Sequence, residues 1–224
     1  SMTTRFGEKS MGLSVLSDGT VLRDSVIESP EKWLGPEHLN SFGASTELLM
    51  KLLDPDQRLP VHYHPNKAFA KKHLSLNHGK TEAWIILEAP EGAEVGLGFE
   101  KKMTKPEVKS MVDALDSKGL LASLTKHKVK AGDTVFVPAG TPHAIGAGIF
   151  VLELQEPTDL SALLEWTDFA VDGVKDGHLG LGFDLVLDSL SYEPIPSEEA
   201  KKLVIHDRLF TSSDASVFTD VADP

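Results

Sequence analysis

The chain has 224 residues, 41% hydrophobic and 25% charged, which is the balance of a soluble globular protein long enough for one main domain and an appendage. Its 22 Lys+Arg against 34 Asp+Glu leave a formal charge of −12, which argues against nucleic acid or an anionic membrane as partner. There is no cysteine, so disulfides and thiolate metal sites are excluded. No apolar run approaches the ~20 residues that span a bilayer and no signal-peptide core is visible, so the expected setting is the cytoplasm.

In chain order, Thr4 to Gly43 mixes a strand-like piece at Gly12–Leu16 with a helix opening at Ser29-Pro30-Glu31-Lys32, where Ser29 can cap and Pro30 occupies the first turn. Glu47–Leu53 and Leu59–Tyr63 read as strands around the turn Asp54-Pro55-Asp56. Asn66–Lys80 is a polar excursion, helical early and loop-like late. Strands follow at Thr81–Leu87 and Ala93–Phe99. Between Lys105 and Leu124 the apolar positions Val108, Met111, Val112, Leu115, Leu120, Leu121 and Leu124 keep helical spacing, with a break expected at Gly119. Strands resume at His127–Lys130, Thr134–Val137 and Phe150–Gln155, and Leu160–Trp166 reads as a further one. Ser197–Leu203 reads as a Ser-capped helix, and the tail from Thr211 carries a Ser/Asp cluster. Many short strands between Gly and Pro turns predict a mainly β fold, a barrel or jelly roll with inserted and appended short helices.

Two features carry chemistry. In Val61-His62-Tyr63-His64-Pro65 the imidazoles stand at i and i+2, so a strand presents both on one face, where they can grip one ion. Alone, the pair reads more readily as two ordinary histidines than as metal ligands. Gly132 to His143 adds a third, and fits the second cupin motif, Gly-x5-Pro-x-Gly-x2-His, at each fixed position. An acidic ligand would normally follow His-x-His closely, but here Pro65 to Thr81 intervene before Glu82 in Gly79-Lys80-Thr81-Glu82-Ala83-Trp84. A phosphate loop would need glycine where Leu74 stands. His73, His78, His127, His178 and His206 show no ligand pattern, and Lys101, Lys102, Lys105 and Lys109 read first as a solvated helix face.

With these elements in this order, the chain resembles the type I phosphomannose isomerases (mannose-6-phosphate isomerases), metal enzymes of the cupin superfamily, over most of residues 12 to 200. The resemblance implies a cupin core and one divalent ion, zinc first with Mn2+, Fe2+, Co2+ or Ni2+ as alternatives. Its ligands would be His64, Glu82 and His143, with His62 where glutamine is usual. It also implies acid–base or substrate-positioning roles for Lys80 and Glu153. Three departures stand out: the family's arginine, about ten residues beyond Glu153, is replaced by Ser161-Ala162-Leu163-Leu164; the Trp-Gly N-terminal segment is missing; and the chain stops near where longer members begin a second β domain.

The expected organisation is an N-terminal α/β cover (1–43), a cupin metal-binding core (44–170) and a C-terminal extension packed on it (171–224). The expected activity is metal-dependent interconversion of an aldose and a ketose, mannose 6-phosphate and fructose 6-phosphate, by enediol proton transfer on a small sugar or sugar phosphate. The alternatives are a non-catalytic metal cupin that senses sugar, an isomerase of an unphosphorylated sugar, and an iron oxygenase cupin.

Overall fold

Two five-stranded antiparallel sheets, ten short strands in all among the described residues, make the body of the computed structural model, which describes residues 1–206. Three short helices come first, α1 (Leu22–Glu28), α2 (Pro30–Leu34) and α3 (Pro36–Phe42). The core then runs β1 (Leu49–Leu53), β2 (His62–Tyr63), α4 (Lys67–Leu74), β3 (Glu82–Glu88), β4 (Glu94–Phe99), α5 (Lys105–Asp113), α6 (Ser117–Ala122), β5 (Leu124–Lys128), β6 (Thr134–Val137), β7 (His143–Ile145), β8 (Phe150–Gln155) and β9 (Ala162–Leu163). Helices α7 (Gly173–Asp176), α8 (Phe183–Val186) and α9 (Ser197–Leu203) and strand β10 (Val204–Ile205) close the described chain. One sheet has the order β1-β8-β3-β6-β10 and the other β5-β4-β7-β2-β9.

Alternation along the strands builds the interior. Trp84 and Ile86 of β3, Val95 and Leu97 of β4, Val135 and Val137 of β6, Ile145 of β7 and Val151 of β8 pack together between the sheets. Each such side chain contributes about 1.5–3 kcal/mol when fully buried. A second cluster lies on the other side of the second sheet, where Tyr63, Phe99 and Leu124 meet Val108 and Val112 of α5, Leu120 of α6 and Val186 of α8. Tyr63 is the hinge of this arrangement: its hydroxyl donates to the Val186 carbonyl at 2.5 Å, so the histidines on either side of it project the opposite way, toward the interior.

The helices follow local chemistry. Asn66 caps α4 by accepting from Phe69 N at 2.9 Å, and Thr104 with Glu107 forms a reciprocal capping box on α5.

Several local expectations are corrected. Gly12–Leu16 is not a strand: Val15 makes one isolated bridge to Val21, because no third segment extends the ladder. The single helix expected from Ser29 is the middle one of three, and Ser29 and Ser197 make no capping bond; Ser197 is the first helical residue, after Pro196. The α5–α6 break falls at Ala114–Asp116, since Asp116 caps α6 by accepting from Gly119 N. Gly119 lies inside α6, and a Cβ there would come within 2.1 Å of Asp116 Oδ2. Leu59–Tyr63 and Leu160–Trp166 shrink to the two-residue strands β2 and β9, which pair with each other. The tail from Thr211 lies outside the described residues.

Candidate functional site

His62, His64 and His143 come together in the interior, with ring centroids 4.2 to 5.0 Å apart and one ligand nitrogen from each within 4.8 Å of the others. His62 is directly paired with His143 across β2 and β7, which accounts for a contact between residues so distant in sequence. The Pro138–Gly140 turn delivers His143. Gly140 takes φ +87, a left-handed value that favours glycine, and its N–H donates to the His64 carbonyl at 2.6 Å, tying the turn to the end of β2.

Each ring has its outer nitrogen bonded to a backbone carbonyl: His62 Nδ1 to Pro60 O at 2.7 Å, His64 Nδ1 to Leu160 O at 2.6 Å and His143 Nδ1 to Thr141 O at 2.8 Å. A carbonyl can only accept, so each Nδ1 carries a proton, and in the neutral ring Nε2 is left to present a lone pair to the interior. This carbonyl-oriented tautomer is the one seen in metal-ligating histidines.

Glu82 enters from the facing sheet. Its Oε2 lies 3.1 Å from His64 Nε2 and its Oε1 3.3 Å from His143 Nε2. With Nε2 unprotonated these are meetings of two acceptors, and correspondingly His64 Nε2 and His143 Nε2 have no hydrogen-bond partner although buried, while Glu82 Oε2 has only the Lys80 ammonium, at 3.0 Å. Converging lone pairs call for a cation. Three imidazoles and a carboxylate form an N/O donor set that suits a divalent ion, so the residues present fit such a group. Trp84 Nε1 steadies the carboxylate by donating to Glu82 Oε1 at 2.9 Å.

Lys80 and Glu153 lie beside this cluster, 4% exposed each. Lys80 Nζ is 3.0 Å from Glu82 Oε2 and 3.7 Å from Glu153 Oε1. Two residues missed in the sequence extend the network: Lys51 Nζ lies 3.8 Å from Glu153 Oε1 and 2.6 Å from Asp159 Oδ1. Lys51 was detectable in principle, because it has the inward parity of Leu49 and Leu53 on β1. Asp159 sits in an irregular loop with no periodic signal.

The electrostatics agree with this arrangement. Burial, with the neighbouring histidines, holds His62 well below its ordinary value, and burial, with the Lys80 ammonium, pushes His64 down to about 3. Both rings stay neutral. Burial opposes the charge on Glu82, but the Lys80 ammonium outweighs it and holds the carboxyl well below the usual range. Burial likewise opposes the charge on Lys80, but Glu82 and Glu153 raise it. Burial and then Glu82 push Glu153 up. Two carboxylates in one cavity are thus driven in opposite directions.

The remaining candidates lie apart. Lys102, Lys105 and Lys109 pair with Glu193, Asp188 and Asp113 on the surface. His78 pairs with Glu47, His206 with Asp133, and His178 accepts from Gly182 N.

No protein-family model matches the chain. Among curated proteins, a mannose-6-phosphate isomerase of Streptococcus mutans is 42% identical over 152 residues, 66% of this chain and 45% of that protein. A mannose-6-phosphate isomerase of Bacillus subtilis is 33% identical over 183 residues, 80% of this chain and 55% of that protein. The chain therefore spans about half the length of the curated relatives it matches. A crystal structure of the mannose 6-phosphate isomerase from Bacillus subtilis superposes with a TM-score of 0.61 at 29% identity, covering 77% of this chain and 52% of that one. These likenesses agree with a cupin-type β fold.

Proposed function

We propose, from the premise that this chain belongs to the type I mannose-6-phosphate isomerase family, that it interconverts mannose 6-phosphate and fructose 6-phosphate through a divalent metal site. The observation that carries the reading is the meeting of His62, His64, His143 and Glu82 beside the buried Lys80–Glu153 pair. His62, His64, Glu82 and His143 would hold the ion, and zinc is the first candidate because it readily accepts a four-coordinate set of imidazoles and a carboxylate. When bound, a divalent ion supplies positive charge for the oxyanion that develops as the enediol forms.

The chain's own groups account for the rest. Isomerisation takes a proton from C2 of the aldose, returns it to C1, and moves a second proton between the two oxygens. Lys80 and Glu153 lie 3.7 Å apart and nearly excluded from water, which suits a pair that exchanges protons with a bound sugar. The His-to-carbonyl bonds fix the imidazoles before substrate arrives, so no reorientation is needed during reaction.

Position 163 favours a second reading. The resemblance implies an arginine near Ala162 and Leu163, and Leu163 lines a cleft of about 560 Å³ together with Arg5, Ser161 and Lys175. Arg5 and Lys175 are the cations available there for a phosphate; if neither serves, the substrate is an unphosphorylated sugar. The experiment is metal analysis of the purified chain, followed by NMR of mannose 6-phosphate and of free mannose incubated with it. Conversion of the phosphate ester supports the proposal, and conversion of the free sugar alone moves the substrate class. Stoichiometric metal with no turnover of either leaves the sensor reading in its place.

A further inference from the structure

Glu165 is a fully buried carboxylate outside the site, 0% exposed, and neither the fold nor the proposed reaction has yet given it a role. Arg58 grips it in a fork, Nη1 to Oε1 at 2.6 Å and Nη2 to Oε2 at 2.9 Å. The guanidinium is steadied in turn by donating to the Leu59 carbonyl at 3.1 Å and by lying 5.1 Å from the centre of the Phe169 ring. The pair faces β2, where Glu165 Oε1 also accepts from Val61 N at 2.7 Å.

The Val61 N–H belongs to the peptide unit whose other end is the Pro60 carbonyl, and that carbonyl receives the Nδ1–H of His62 at 2.7 Å. A trans peptide is planar, so fixing the direction of its N–H fixes the direction of its C=O. An ionised acceptor on the N–H also polarises the unit and makes the carbonyl a stronger acceptor. We infer that Glu165, locked by Arg58, is a positioning residue that sets the tautomer and orientation of His62 through the Pro60–Val61 peptide.

Two observations show why this position needs such a device. β2 has only two residues and is flanked by Pro60 and Pro65, so its own ladder does little to hold the peptide that precedes it. His143 has the same bond to the carbonyl two residues earlier, Thr141, but there the next residue is Pro142, whose ring restricts the backbone without any N–H to grip. Glu165 does by hydrogen bonding at His62 what the proline ring does at His143.

The inference rests on the metal reading of the site, and the test separates the two. Co2+ is titrated into the metal-stripped full chain, following affinity and the visible ligand-field spectrum, and the 15N resonances of His62 are recorded in the metal-free protein. Glu165→Leu should weaken Co2+ binding by about 10- to 100-fold and change the spectrum, with loss of the single Nδ1–H tautomer of His62. Glu165→Gln, which keeps an oxygen for Val61 N–H, should fall between the leucine variant and the unaltered chain. Arg58→Met, which leaves the carboxylate but unlocks it, should disturb the His62 resonances in the same direction and decides the matter if the leucine variant does not fold. Unchanged affinity, spectrum and tautomer in a folded variant would overturn the positioning role while leaving the metal site intact. No Co2+ binding by the unaltered chain would instead remove the metal reading.

Discussion

His64 is tied into the cluster on several sides: its ring meets both other histidines, its Nε2 faces Glu82, and its Nδ1 reaches across to the Leu160 carbonyl. Replacing it with alanine removes a neutral donor that nothing nearby can supply, so His64→Ala should remain folded by circular dichroism yet lose bound metal after dialysis, with affinity lower by about two orders of magnitude. Full stoichiometric metal in that variant would show that the ion lies elsewhere. Lys80 calls for the opposite outcome. Lys80→Met keeps the length of the buried stem and removes only the ammonium, so metal should stay bound while turnover falls about 10²- to 10⁴-fold; equal turnover would end its assignment. The histidine pair was legible because strand geometry has a period of two, and His143 because its turn has a fixed spacing. Arg58 and Glu165 were not: their partnership spans 107 positions and exists only once β2 lies against the segment after β9.

Among the elements, the departure from close His-to-Glu spacing has a physical resolution. α4 and the loop after it leave β2 at Pro65 and return to the same place, where Lys80 N donates to the Pro65 carbonyl at 3.1 Å. The return is tight. At Gly79 a Cβ would come within 2.6 Å of Pro65 O, Asn66 C and Lys67 N, which are backbone atoms with no freedom to yield, and the Gly79 carbonyl is also held by the Thr158 hydroxyl. Gly79→Ala should therefore cost about 1–3 kcal/mol in chemical denaturation and shift Lys80 and Glu82 enough to lower turnover. A variant with unaltered stability would mean that the loop adapts and does not set the spacing. The excursion could be seen in the sequence as a polar stretch, and α4 as its helical start, but the close return could not, because it depends on contact between two loops. The same limit explains β2 and β9: a two-residue strand leaves almost no alternation to read, and both exist because they pair with neighbours.

At the scale of the molecule, the cluster lies where the two sheets face each other. Glu82 belongs to β3 in one sheet, His62 and His143 to β2 and β7 in the other, and His64 directly follows β2. An ion held by all four would join the sheets from inside, in addition to the apolar contacts of Trp84, Leu97, Val137 and Ile145. Without it, Lys80 still offsets the charge of Glu82 at 3.0 Å, so the metal-stripped chain should be folded and less stable rather than unfolded. A ligand present at a hundred times its dissociation constant stabilises by about 2.7 kcal/mol. For a chain of this size that corresponds to a melting temperature about 5–10 °C lower after chelation, restored by one equivalent of Zn2+ or Co2+. His64→Ala provides the control, since its melting temperature should respond little to either chelator or added metal. A melting temperature of the unaltered chain that ignores both would mean that no ion links the sheets, and that the buried lone pairs of His64, Glu82 and His143 are satisfied by other means.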